Sequence, residues 1–269
     1  MKGARRGGLL VVASGVATVM SVVLMGAMAG PEVPPHTKAN SEGFHSTMLW
    51  FELALTPQEI FDNLGPIESP EGQARRLHLD SANRYDFGFM VCYSLFNASL
   101  IYLVTRLNVY RLKSLLKLRV FLALGIILSA AMLTGDIVEN MQLLDLTKLH
   151  SAGEIQQTTM SNLIYWTRIK WGAIFVVCLM LSAGYASYFR RIPTLLIPAA
   201  YAAAGVSGLI AISVADARTV MEYLSIRAVM FAWTASLVHA FLISVRGPAG
   251  FPLPERANAR RAATAKAEG

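Results

Sequence analysis

Charge is scarce in this chain, and so is cysteine. Only 15% of its 269 residues are Asp, Glu, Lys or Arg, where a soluble domain carries about 25%. With 54% of the residues hydrophobic and a mean hydropathy of +0.46, there are too few polar side chains to cover a water-facing surface. That composition points to a membrane protein. The two cysteines, Cys92 and Cys178, both lie in apolar runs, and no CxxC or Cys/His spacing occurs. Neither a disulfide framework nor a structural zinc site is indicated, and both thiols read as small buried hydrophobes. No metal is expected, and no cofactor.

The net charge of +7 resembles a nucleic-acid signal until the charges are mapped. They segregate by loop, and no aromatic residue or motif accompanies them, so no nucleic-acid partner is expected.

Long apolar runs are what the chain does have. Six stretches approach the roughly 20 residues that a bilayer core of about 30 Å requires. They are residues 8–29, 86–107, 120–139, 169–189, 192–214 and 228–245. A spanning segment must satisfy its own backbone hydrogen bonds, so these are helices. The expected fold is all-α: a polytopic transmembrane helical bundle of six spans with one short interfacial amphipathic helix. Residues 1–246 form a single membrane domain, with an outer segment over 30–85.

Lys and Arg set the expected orientation. With the N-terminus in the cytoplasm, the inside segments hold Lys2, Arg5, Arg6, Arg106, Arg111, Lys113, Lys117, Arg119, Arg190 and Arg191. They also hold Arg246, Arg256, Arg260, Arg261 and Lys266, with only Glu255 and Glu268 among the acids. Every inside segment is basic, as the positive-inside rule requires. Both termini are therefore expected in the cytoplasm of a multi-pass inner-membrane protein. Residues 247–269 read as a disordered basic tail near anionic headgroups. The first span has a rival reading. A basic n-region followed by Ala27-Met28-Ala29 resembles a signal-peptidase site, and cleavage would leave five spans. The apolar run exceeds the usual 7–15-residue h-region, which favours a retained anchor.

Between spans 1 and 2, Leu49-Trp50-Phe51-Glu52-Leu53-Ala54-Leu55 is an apolar strip with one acid. Its aromatic pair suits a membrane–water interface. Thr56-Pro57-Gln58-Glu59 then reads as N-cap, first-turn proline and capping box. Ile60, Phe61 and Leu64 follow at helical spacing, and Gly65 is a stop. This predicts a short amphipathic helix on the outer surface. Ser69-Pro70 repeats the cap signal and opens a helix running toward span 2.

The candidate site is a charged constellation at the outer rim. Asp86 starts span 2, with Phe89 and Tyr93 on its face. Asp136, Glu139 and Asn140 share one face of span 3, with Asp136 about 24 Å along the helix, just inside the rim. Arg168 and Lys170 open span 4. Asp216, Arg218, Glu222 and Arg227 surround the turn between spans 5 and 6. Asp136 needs a donor, and Lys170 and Arg168 are the nearest by topology. Such a cluster either fixes helix register or does chemistry, since ionisable groups in a membrane are functional candidates. His78 and His150 lie on the same side, but their spacing fits no metal motif. His239 falls inside span 6, where a hydrogen bond to a neighbouring helix is expected. Asn97-Ala98-Ser99 is a glycosylation triplet within a span and should be unmodified. Ala200, Ala204 and Gly208 form a small-residue face for packing within the protein or with a second copy.

The stretch Phe51-Glu52-Leu53-Ala54-Leu55-Thr56, then Asp86 with Phe89 and Tyr93, then Asp136-Ile137-Val138-Glu139-Asn140, then Lys170, resembles an uncharacterised group of small bacterial inner-membrane proteins. The resemblance covers about residues 48–188. It implies no activity, but it groups Glu52, Asp86, Tyr93, Asp136, Glu139, Asn140 and Lys170 as one candidate functional cluster. Three functions stay open at this point. The first is a lipid-binding protein, or one associated with a complex as a homo-oligomer or with a membrane-protein partner. The second is an enzyme acting on a lipid or isoprenoid at the outer leaflet. The third is a transporter, ranked last because no repeat or broken midplane helix is visible.

Overall fold

A computed structural model of the chain describes residues 2–37, 43–109, 115–189 and 195–247. Eight α-helices follow in order among them: α1 (Lys2–Ala29), α2 (Thr47–Glu52), α3 (Pro57–Leu64), α4 (Pro70–Asn108), α5 (Leu115–Leu146), α6 (Gln157–Tyr188), α7 (Leu196–Ser213) and α8 (Arg227–Arg246). No strand occurs among the described residues. Six of the helices are long and apolar enough to cross a membrane, and the protein is a polytopic membrane protein. Large apolar side chains such as Val19, Met20, Ile127, Met230 and Phe241 are exposed. In a bilayer those positions face lipid.

The spanning helices close a circuit. α1 packs on α4 and α8, α8 on α7, α7 on α6, and α6 returns to α4, with α5 lodged against both α4 and α6. Glycines set several of these contacts. A Cβ on Gly8 would fall 2.8 Å from the Ala240 carbonyl oxygen, so α1 and α8 touch backbone to backbone. A Cβ on Gly208 would strike the Phe175 ring. The small-residue face of α7 is therefore used inside the protein, against α6. Arg5 Nε donates to the Ser244 carbonyl at 2.8 Å, so the start of α1 and the end of α8 lie at one end of the bundle.

The opposite end carries a cap, and it is here that the helices outrun the expected spans. α4 begins at Pro70 rather than Asp86, α5 continues to Leu146 rather than ending at Glu139, and α6 begins at Gln157 rather than Ile169. The reason is local and was partly legible. Ser69 Oγ accepts from Gly72 N at 2.9 Å to start α4, with Pro70 in the first turn. Leu143 and Leu146 extend the buried face of α5.

The short helices fill the space between these extensions. Thr56 caps α3 by accepting from Glu59 N at 3.2 Å, and Glu59 Oε2 accepts from Leu55 N at 2.9 Å. Gly65 ends the helix at φ +71°, where a side chain would be strained. α3 is amphipathic: it keeps Gln58 exposed and buries its other face, with Ile60 and Leu64 in a second core beside Phe51, Leu79, Leu143 and Leu163. Trp50 and Phe51 are likewise buried rather than interfacial, because Thr47–Glu52 is a helix of its own. Arg76 ties the cap down by donating to the carbonyls of Leu64, Gly65 and Leu149. On the other side Glu222 accepts from His45 N at 2.8 Å.

Several basic residues used for the orientation, namely Arg111, Lys113, Arg190, Arg191, Arg256, Arg260, Arg261 and Lys266, lie outside the described residues, as does the tail from 248 onward.

Candidate functional site

The seven residues grouped from the sequence come together beneath the cap. Lys170, four turns into α6, is 95% buried at its side chain and is the centre. Its Nζ lies 2.8 Å from Glu52 Oε2 at the end of α2 and 3.2 Å from Asp136 Oδ1 on α5. It also pairs with Glu139, one turn further along α5. An ammonium has three hydrogens, and here three carboxylates take them.

Neutral donors complete the shell. Tyr93 on α4 donates its hydroxyl to Asp136 Oδ2 at 2.6 Å. Thr167, one turn before Lys170, donates to Glu139. Asn140 donates its Nδ2 to Asp86 Oδ2 at 2.6 Å. The Tyr93 ring stacks on Trp233 of α8 with centroids 6.1 Å apart, so the cluster joins four spanning helices and the cap. Close approach of α5 to α6 makes this geometry possible. A Cβ on Gly135 would fall 2.8 Å from Lys170 N.

Other expected members lie elsewhere. Arg168 does not reach Asp136: it is exposed and lines a cleft beside the cluster. Arg218 binds Glu59 through two hydrogen bonds, at 2.7 and 3.1 Å, and holds the Leu53 carbonyl at 2.8 Å. Arg227 stands over the Tyr223 ring at 5.8 Å. His78 faces the Ala29 carbonyl at 3.0 Å, and His150 sits near Glu68 at 3.7 Å, so neither imidazole joins Asp136 or Glu139. His239 is buried among the rings of Tyr185, Tyr188 and Phe189.

Two participants were missed. Thr167 carried a usable signal, three residues before Lys170 and so on the same helix face. Asn83 carried the same signal, three residues before Asp86, and it is fully buried with both side-chain polar atoms unpartnered.

A cleft reaches the cluster at Glu52 and Thr167. It lies between the Leu53–Leu55 segment, α6 and the end of α7, and its volume is about 360 Å³ counted to its open side. Leu53, Leu55, Ile164 and Ile212 form apolar walls. Glu52 and Thr167 stand on the cluster side, and Arg168 and Arg218 also line it. No family model, no curated protein and no solved structure matches this chain.

Proposed function

We propose that this protein binds a membrane lipid in the outer leaflet, with the headgroup in the cleft beside Glu52 and Arg168. The observation that carries the reading is the composition of that cleft: apolar walls shared between the cap and two spanning helices, with two arginines beside them. A phospholipid presents the same pairing of chemistry, acyl chain beside phosphate. Support for an outward-facing cap comes from the basic residues at the other end, Arg5, Arg6, Arg106, Lys117, Arg119 and Arg246.

An enzyme acting on a lipid is the second reading, and the cluster disfavours it. Of the four carboxylates, Glu52 alone lines the cleft. A general acid–base pair needs two groups within reach of the reacting bond, and Asp136 and Glu139 are enclosed by Lys170, Tyr93 and Thr167.

Native mass spectrometry tests the proposal. Wild-type protein released from mild detergent should retain one phospholipid mass. Ala215→Trp, which places an indole in the cleft from an exposed position, should lose it while keeping the same helical content. Equal retention by both proteins would refute the reading.

A further inference from the structure

We infer that the cleft selects a phospholipid whose headgroup carries a primary ammonium, placing that ammonium on Glu52 and the phosphate on Arg168. The inference rests on the lipid reading above and names its ligand class.

Charge is the first argument. Glu52, Asp136 and Glu139 meet one ammonium, that of Lys170, and Asp86 is buried beside them with Asn140 as its donor. Carboxyl groups outnumber ammonium groups here by three. Tyr93, Thr167 and Asn140 donate hydrogen bonds but add no charge. A buried charge without a counter-charge is expensive. Two amide oxygens, Asn140 Oδ1 and Asn83 Oδ1, also lack a donor, and both residues are fully buried.

Access is the second. Lys170, Asp136 and Glu139 keep 5%, 3% and 0% of their side-chain surface, and Glu52 keeps 12%. Glu52 Oε2 is committed to Lys170, and Oε1 carries no hydrogen bond among the described residues. A further cation supplied from the cleft therefore meets Glu52 first.

Complementarity supplies the rest. A primary ammonium brings three N–H donors to a free carboxylate oxygen, and a trimethylammonium brings none. Arg218 is already paired with Glu59. Arg168 makes no hydrogen bond or ion pair among the described residues, so it is the cation left for a phosphate. An acid with a free oxygen and an unpaired guanidinium, on one cleft, match a zwitterion.

The test exchanges the purified full chain into detergent containing equimolar phosphatidylethanolamine, phosphatidylglycerol and phosphatidylcholine of identical acyl chains, and reads retained adducts by native mass spectrometry. The ethanolamine lipid should exceed the others by about tenfold, the worth of one charge-assisted hydrogen bond. Glu52→Gln should erase that preference while still retaining lipid, and Arg168→Gln should weaken all three adducts. A wild-type preference for the glycerol or choline lipid, lost in Ala215→Trp, would overturn the headgroup assignment and leave the lipid reading standing. No adduct with any of the three would overturn both. An ethanolamine preference that survives Glu52→Gln would overturn the role given to Glu52. If Glu52→Gln fails to fold, the wild-type series decides alone.

Discussion

Lys170 Nζ and Glu52 Oε2 are 118 residues apart in the chain and 2.8 Å apart in space. This ion pair joins the cap to the spanning bundle, and it sits where the buried acids come nearest to the cleft.

Lys170→Met should be among the most damaging single substitutions in the protein. It leaves Glu52, Asp136 and Glu139 without their shared counter-ion, and breaking a buried pair from one side costs about 3–5 kcal/mol. Glu52→Gln should cost less, because it removes one acid from an acid-rich cluster and keeps a polar side chain. Thermal unfolding in detergent checks the order. Equal losses would contradict the account of Lys170 as the sole cation within the cluster.

Gly135→Ala should destabilise by about 1–3 kcal/mol, the usual cost of overpacking. The added Cβ meets Lys170 N at 2.8 Å and Cα at 3.1 Å, and backbone cannot move aside as a flexible side chain can. Gly88→Ala is the control: nothing lies within 4 Å of its Cβ position, and alanine favours the helix by up to about 1 kcal/mol. Opposite signs in a melting experiment are expected.

Arg76→Ala should loosen the cap without unfolding the bundle. It abandons the carbonyls of Leu64, Gly65 and Leu149 together. Hydrogen exchange should quicken in α2 and α3 and stay unchanged in the apolar middles of α4 and α6. Uniform quickening would mean that cap and bundle unfold as one unit.

Single cysteines at positions 148 and 119, in a chain with Cys92 and Cys178 replaced by alanine, should label from opposite sides of the membrane. Both positions are exposed. Position 148 should react with an impermeant reagent in intact cells, and position 119 only after lysis. The reverse would invert the orientation.

The sequence carried the spans well, because twenty apolar residues in a row have one physical outcome in lipid. It also carried the caps at Thr56 and Ser69, since both act within four residues. Five of the seven clustered residues were legible as charges that a bilayer would not leave unpartnered, and Tyr93 and Asn140 as their neighbours on the same helix faces. Their pairing was less so: Lys170 was one of two candidate donors for Asp136, and Arg168 differs from it by two positions in the chain. Only the helix phase, with Gly135 seating α5 on the backbone of Lys170, separates them. The burial of Trp50 and Phe51 was not legible. An aromatic pair beside a membrane reads as interfacial until the helix extensions of α4, α5 and α6 are known to rise around it. Asn83 was passed over because its one signal, the three-residue spacing to Asp86, belongs to an uncharged amide in a polar stretch.

The most direct test of lipid binding at the cleft is photocrosslinking with a phospholipid carrying a diazirine near its headgroup, followed by peptide mapping. The account predicts adducts concentrated in residues 52–55, 164–168 and 211–218. Adducts spread evenly over the lipid-facing sides of α1, α5 and α8, with none enriched at the cleft, would contradict it.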